Sequence, residues 1–266
     1  MKFRQPAWLA GWLAALTQLQ QLYLQIGMMP AGLTDSLLSL RQLTSLQLAA
    51  ASLPPLVALS RLQQLCSWEV ILDSSAGQVP SQPLILPPPS AFPCLKEYNL
   101  QAPDAAHVQI DGHTFDAALA ALLQHTPRLQ SRSVVDCLEE EEPFPDSLRT
   151  LAGPTFLSLS DNHLEDLPEG PCWAGLRQLD LSHNSFRELP WALSTATQLT
   201  SLSVRGDNCF DYACAWGDED DLLSAHLPAL DEFDTSYTKG WVSALMQLAR
   251  RRPLLSIDTS YIRAEA

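Results

Sequence analysis

The chain of 266 residues carries 49 leucines, 30 acidic and 16 basic side chains, for a formal net charge of −14. Such apolar content excludes an intrinsically disordered chain, and 11 glycines against 20 prolines exclude collagen-like and glycine-linker classes. The acidity argues against binding nucleic acid by phosphate neutralisation and against attraction to anionic membrane surfaces. The charge is unevenly placed. Residues 1–133 hold seven acidic and seven basic side chains, so the whole −14 sits in residues 134–266, with 23 and nine.

At the amino terminus, Met1-Lys2-Phe3-Arg4 and the apolar stretch from Ala7 to Leu16 have the form of a secretory leader. A repeat explains them better. Leu9, Leu13, Leu16, Leu19, Leu22 and Leu24 return 24 residues later as Leu33, Leu37, Leu40, Leu43, Leu46 and Leu48. A cleaved leader has no reason to share the register of the segment after it. No apolar run reaches the ~18 residues that a bilayer span needs.

The series opens with Leu19-Leu22-Leu24, Leu43-Leu46-Leu48 and Leu62-Leu65, and continues through Leu95-Tyr98-Leu100. Residues 73–93 hold Pro80, Pro83, Pro87, Pro88, Pro89 and Pro93, and read as an extended surface loop rather than as a ligand for an SH3-like partner. A degraded turn follows around Leu129, Val134 and Cys137, with Arg132 at a place where an apolar strand residue belongs. Residues 136–147 contain Glu139 to Glu142 and read as a solvated acidic loop.

The clearest copies are Leu157-Ser-Leu-Ser-Asp-Asn162-His-Leu-Glu-Asp-Leu-Pro168 and Leu179-Asp-Leu-Ser-His-Asn184-Ser-Phe-Arg-Glu-Leu-Pro190. Leu199-Leu202-Val204-Asp207, Leu230-Phe233-Thr235 and Leu254-Ile257-Thr259-Ile262 come after them. Leu-x-Leu alternation makes a short strand with one buried face. An asparagine at its end is placed to satisfy backbone groups of adjacent turns that the bend leaves unpaired. The spacings of Leu33-x-x-x-Leu37-Leu38, Phe115 to Leu123 and Val242 to Ala249 predict return helices.

In phase over many turns, Leu-x-x-Leu-x-Leu-x-x-Asn resembles the leucine-rich repeat family, intracellular type. That resemblance implies an α/β solenoid, a curved horseshoe with a parallel sheet on its concave face and helices or irregular segments on the convex face. About ten turns would fill residues 8–266 as one domain, and Asn162 and Asn184 would be its ladder. Gly27, Ala51, Val70 and Pro103 take the ladder place in other turns.

Chemical constellations are sparse. The stretch 208–221, dense in Asp and Glu, reads as an acidic insertion. It lacks the spacing of a calcium loop, and as a zinc site it offers only Cys209, Cys214 and a nearby His226. No phosphate loop or nucleophile elbow is present, and no catalytic residue, cofactor or metal is expected. Arg250, Arg251 and Arg252 complement the negative end of a predicted helix. Six scattered cysteines and the lack of an Asn-x-Ser/Thr acceptor favour a cytoplasmic location.

Function is therefore sought on the exposed strand positions. The register assigns Tyr23, Trp68, Phe156, Asp180, Arg205, Glu232, Asp234 and Asp258 to the concave face. The expectation is a non-catalytic protein-interaction module that takes a protein partner with a basic patch, without nucleic acid or membrane. The resemblance also admits a substrate-recognition subunit of a ubiquitin ligase, or a cytoskeletal or axonemal scaffold.

Overall fold

The computed structural model describes residues 7–26, 32–50, 61–72, 92–101, 128–138, 144–151, 153–206, 227–238 and 242–260, with positions 116, 120, 126 and 208. Two compact units divide the chain: Met1–Cys137 with Pro145–Leu148, and Leu138–Phe144 with Arg149–Ala266. Among the described residues there are ten parallel strands, five in each unit, and within each unit they pair in chain order. Such parallel neighbours need a crossover connection between them.

In the first unit, α1 (Ala7–Ala14) precedes β1 (Gln21–Ile26), and α2 (Leu33–Ser39) precedes β2 (Ser45–Ala50). β3 (Ser67–Leu72), β4 (Glu97–Gln101) and β5 (Ser131–Val135) complete it. The 24-residue phase of the leucines has a direct physical outcome. Leu9 and Leu13 of α1 are as fully buried as Leu33 and Leu37 of α2, the two helices pack together, and Gln21 to Ile26 pair with Ser45 to Ala50. The helix expected from Phe115 to Leu123 lies outside the described residues, as do 73–91, 139–143 and 209–226.

The second unit contains β6 (Phe156–Ser158), β7 (Gln178–Asp180), β8 (Ser201–Ser203), β9 (Glu232–Asp234) and β10 (Ser256–Asp258). Its returns are short 3₁₀ turns at Pro171–Trp173 and Trp191–Thr195, and the predicted helix α3 (Val242–Arg251). Arg252 follows α3 and donates to the carbonyls of Leu227, Pro228 and Leu230. One cation of the arginine cluster thus serves the preceding turn rather than its own helix.

One local device recurs before the strands. An N–H bonds the carbonyl three residues earlier, at Leu43 to Leu40, Leu65 to Leu62, Leu176 to Trp173 and Leu199 to Ala196. Two successive N–H groups then share one carbonyl of the previous turn: Thr44 and Ser45 on Gln20, Cys66 and Ser67 on Thr44, Thr200 and Ser201 on Arg177. The N–H groups at these bends are thereby satisfied, and these turns are tied to their neighbours within each unit.

The third turn corrects the sequence register. Leu62 and Leu65 belong to the approach, and the strand buries Trp68 and Val70, which pair with Leu46 and Leu48. Trp68 is therefore a core residue at 1% exposure, not a binding residue on the open face. Val70 likewise sits in the core row, not at the ladder place. Ser67 and Glu69 take the outward positions. A large indole gains more from burial than the leucine it replaces, which holds it inside. Trp68 stacks at 5.3 Å on both Phe92 and Tyr98.

Candidate functional site

Each strand turns one row of side chains into the core and offers the alternate row outward. In the first unit the central outward row is Tyr23, Gln47, Glu69, Asn99 and Ser133. Tyr23, the one aromatic of that row, is 53% exposed. Asn99 donates from Nδ2 to Glu69 at 3.1 Å, and partial burial holds the Glu69 carboxyl above the usual carboxylate range.

The second unit is more acidic. One outward row runs Ser158, Asp180, Ser203, Asp234 and Asp258, and the row beside it runs Phe156, Gln178, Ser201, Glu232 and Ser256. Neighbouring parallel strands lie about 4.8 Å apart, so Asp234 and Asp258 are adjacent and Asp180 is two strands away. Glu232 and Asp258 are exposed, while Asp180, Asp234 and Phe156 are half-buried. Arg205 is exposed two residues beyond Ser203, where Ser182 and Ser236 stand in the flanking turns.

A shared motif fixes the three aspartates. Each accepts hydrogen bonds on Oδ1 from the backbone N–H and the hydroxyl of the serine two residues later. Asp180 takes those of Ser182, Asp234 those of Ser236 and Asp258 those of Ser260. These are the local side-chain bonds that short polar residues make at strand ends. The hydroxyl and N–H of Ser260 hold the Asp258 carboxyl below its ordinary value. The other oxygens face along the row: Oδ2 of Asp180 receives Ser158, and Oδ2 of Asp234 receives Ser203, both at 3.4 Å. Ser182 and Ser203 share a hydrogen bond at 2.8 Å. The carboxylates are thus held in place by their serines.

Behind this face lies the ladder. Asn184 is 3% exposed; its Oδ1 accepts from the N–H of Asn162 at 3.2 Å and of Leu164 at 2.9 Å. Its Nδ2 donates to the carbonyls of Leu159, Leu181 and Ser182. Asn162 accepts from Leu138 at 2.9 Å. Both expected asparagines therefore do what the repeat requires of them.

The ladder is longer than the sequence reading had it. Asn208, not Asp207, occupies the next rung; it is fully buried, accepts from Phe186 and donates to Leu181 and Val204. Cys137 takes an earlier place, with Sγ 3.0 Å from the Val135 carbonyl. Buried Thr238 takes a later one, donating to Thr235 at 2.6 Å. Asn208 was hidden because its turn has one extra residue. Gly206 absorbs it at φ +94, and a Cβ there would stand 2.4 Å from Nδ1 of His183.

Among the described residues no group of three or more potential metal ligands converges, and no helix is long and apolar enough to cross a membrane. The Leucine Rich Repeat family model matches residues 175–196, the turn around Asn184. No curated protein's sequence matches the chain. Among solved structures, an internalin (InlF) from Listeria monocytogenes is similar with a TM-score of 0.54 at 16% identity, over 95% of this chain and 77% of that one. The Toll–Spätzle complex from Drosophila gives a TM-score of 0.51 at 17% identity, over 96% of this chain but only 38% of the other. With its in-phase leucines, its asparagine ladder and the parallel pairing of its strands, the chain has the leucine-rich-repeat fold.

Proposed function

We propose that the chain is a non-catalytic protein-interaction module whose outward sheet face binds a partner bearing a basic patch. The row of Asp180, Asp234 and Asp258, with Glu232 beside it, carries this reading. Three carboxylates are already fixed by their serines, so binding costs little side-chain ordering. Exposed charge of one sign also speeds encounter with a partner of the other. Arg205 and Phe156 supply further outward contacts on the second unit; Tyr23, on the outward row of the first unit, is a separate candidate contact. Toll, a protein of similar fold, is recorded in a complex with Spätzle, which supports the use of such a fold in protein binding.

A cytoplasmic location is part of the proposal. It is supported by Cys66, Cys94 and Cys172, which form no disulfide among the described residues. Burial pushes the Cys172 thiol up to about 12, which keeps it unreactive.

Affinity capture from fractionated source cells identifies the partner and its compartment together. The decisive measurement is then affinity after Asp180, Asp234 and Asp258 are changed to Asn. Asparagine retains the acceptor that the serines use and removes only the charge. Binding should weaken at least about tenfold, or about 1.4 kcal/mol, with a shallower dependence on salt. Unchanged affinity and unchanged salt dependence would refute the acidic row as the contact.

A further inference from the structure

Among the described residues, the core of the first unit contains a buried cation with no hydrogen-bond partner. Arg132 points inward from β5, in one row with Leu46, Trp68 and Tyr98 of the preceding strands, and is 0% exposed. Its guanidinium carbon lies 5.6 Å from the centre of the Tyr98 ring. Among the described residues, none of Nε, Nη1 and Nη2 has a hydrogen-bond partner.

Two ordinary escapes fail. A ring below the guanidinium attracts the charge through its face, but the five N–H bonds lie in the guanidinium plane and gain nothing from it. Loss of the proton is no remedy either. Burial lowers Arg132 only to about 10, so it keeps its proton at neutral pH. A buried, donor-only cation requires an acceptor, and a buried charge without one is strongly destabilising.

We propose that Arg132 holds a small monovalent anion within the core of the first unit, chloride in ordinary saline. The anion accepts from N–H groups in the guanidinium plane while Tyr98 covers one guanidinium face. Single charge matches single charge, whereas a divalent anion would leave one charge unbalanced in an apolar surrounding. The full burial of Arg132 excludes a carboxylate brought by another protein. A monatomic ion, in contrast, enters during local opening of the repeat. This inference stands apart from the proposed acidic contact row, which lies on the second unit.

The test is thermal melting of the full chain at fixed ionic strength, with sodium gluconate replaced stepwise by sodium chloride or bromide. Gluconate is too large for a packed core. The expected result is a saturable rise of about 3 °C or more in halide, absent in Arg132→Met, which removes the charge and keeps an apolar stem. Crystals grown in bromide should show an anomalous peak at hydrogen-bond distance from the Arg132 nitrogens. That second measurement decides the matter if Arg132→Met fails to fold. Equal melting in gluconate and halide, an equal halide effect in Arg132→Met, or bromide found only at the surface would each overturn the proposal.

Discussion

Replacing Asn184 by alanine removes the side chain that the second unit uses most. Five hydrogen bonds go at once, but they do not count equally. The Leu181 carbonyl keeps a donor in Asn208, and the Ser182 carbonyl keeps the N–H of Asp161. The N–H groups of Asn162 and Leu164, and the carbonyl of Leu159, lose the bonds that Asn184 made to them. At about 1–3 kcal/mol for each unsatisfied buried group, with relaxation recovering part, the cost is about 3–5 kcal/mol. For a chain of this size that lowers the melting temperature by about 10 °C. Urea denaturation followed by circular dichroism gives the global loss. Hydrogen exchange at the Asn162 and Leu164 amides locates it, since both should exchange faster. Asn184→Asp should not rescue, because a carboxylate keeps the acceptor but presents negative oxygen to three carbonyls. Wild-type midpoint and slope in Asn184→Ala, with both amides still protected, would refute the ladder argument.

Two further outcomes are expected. Gly206→Ala should destabilise by at least about 1–3 kcal/mol, since the methyl meets the His183 ring and alanine resists positive φ. Adding His183→Ala should recover only the part due to the ring, as a double-mutant cycle of melts will show. Ser260→Ala should raise the Asp258 pKa towards an ordinary carboxylate value, as read by NMR titration. The sign of the linkage follows: a depressed folded-state pKa contributes stability above the unfolded value and loses it as pH falls through the folded one. The variant should therefore lose less of its stability on acidification than the wild type, and an unshifted titration would count against the serine cap.

Leucine spacing made the repeat, the strands and the helices α2 and α3 legible, because period-two alternation and 24-residue recurrence are sequence properties. The third turn was misread for an equally physical reason. Leu62, Leu65 and Trp68 are spaced by threes, and spacing alone does not say which triplet begins the strand. The aromatic neighbours Phe92 and Tyr98 decide it, and they are distant in sequence. Arg132 was visible as a departure, yet its complete burial reflects packing against Tyr98 rather than any local pattern. The serine caps had a signal in the recurring Asp-Thr-Ser of residues 234–236 and 258–260. That recurrence reads as repeat register until coordinates show which atoms meet.

Gly206 bears on how such a chain changes over generations. Asn184 follows Leu179 by five residues, whereas Asn208 follows Leu202 by six, and yet each amide reaches the matching carbonyl of the preceding turn, Leu159 for Asn184 and Leu181 for Asn208. The rung is therefore set by distance in space and not by counting along the chain. A copying error of one residue between strand and rung stays confined to its own turn, provided that a glycine is at hand to bulge. Turns on either side keep their phase, and duplicated turns of unequal length remain mutually compatible.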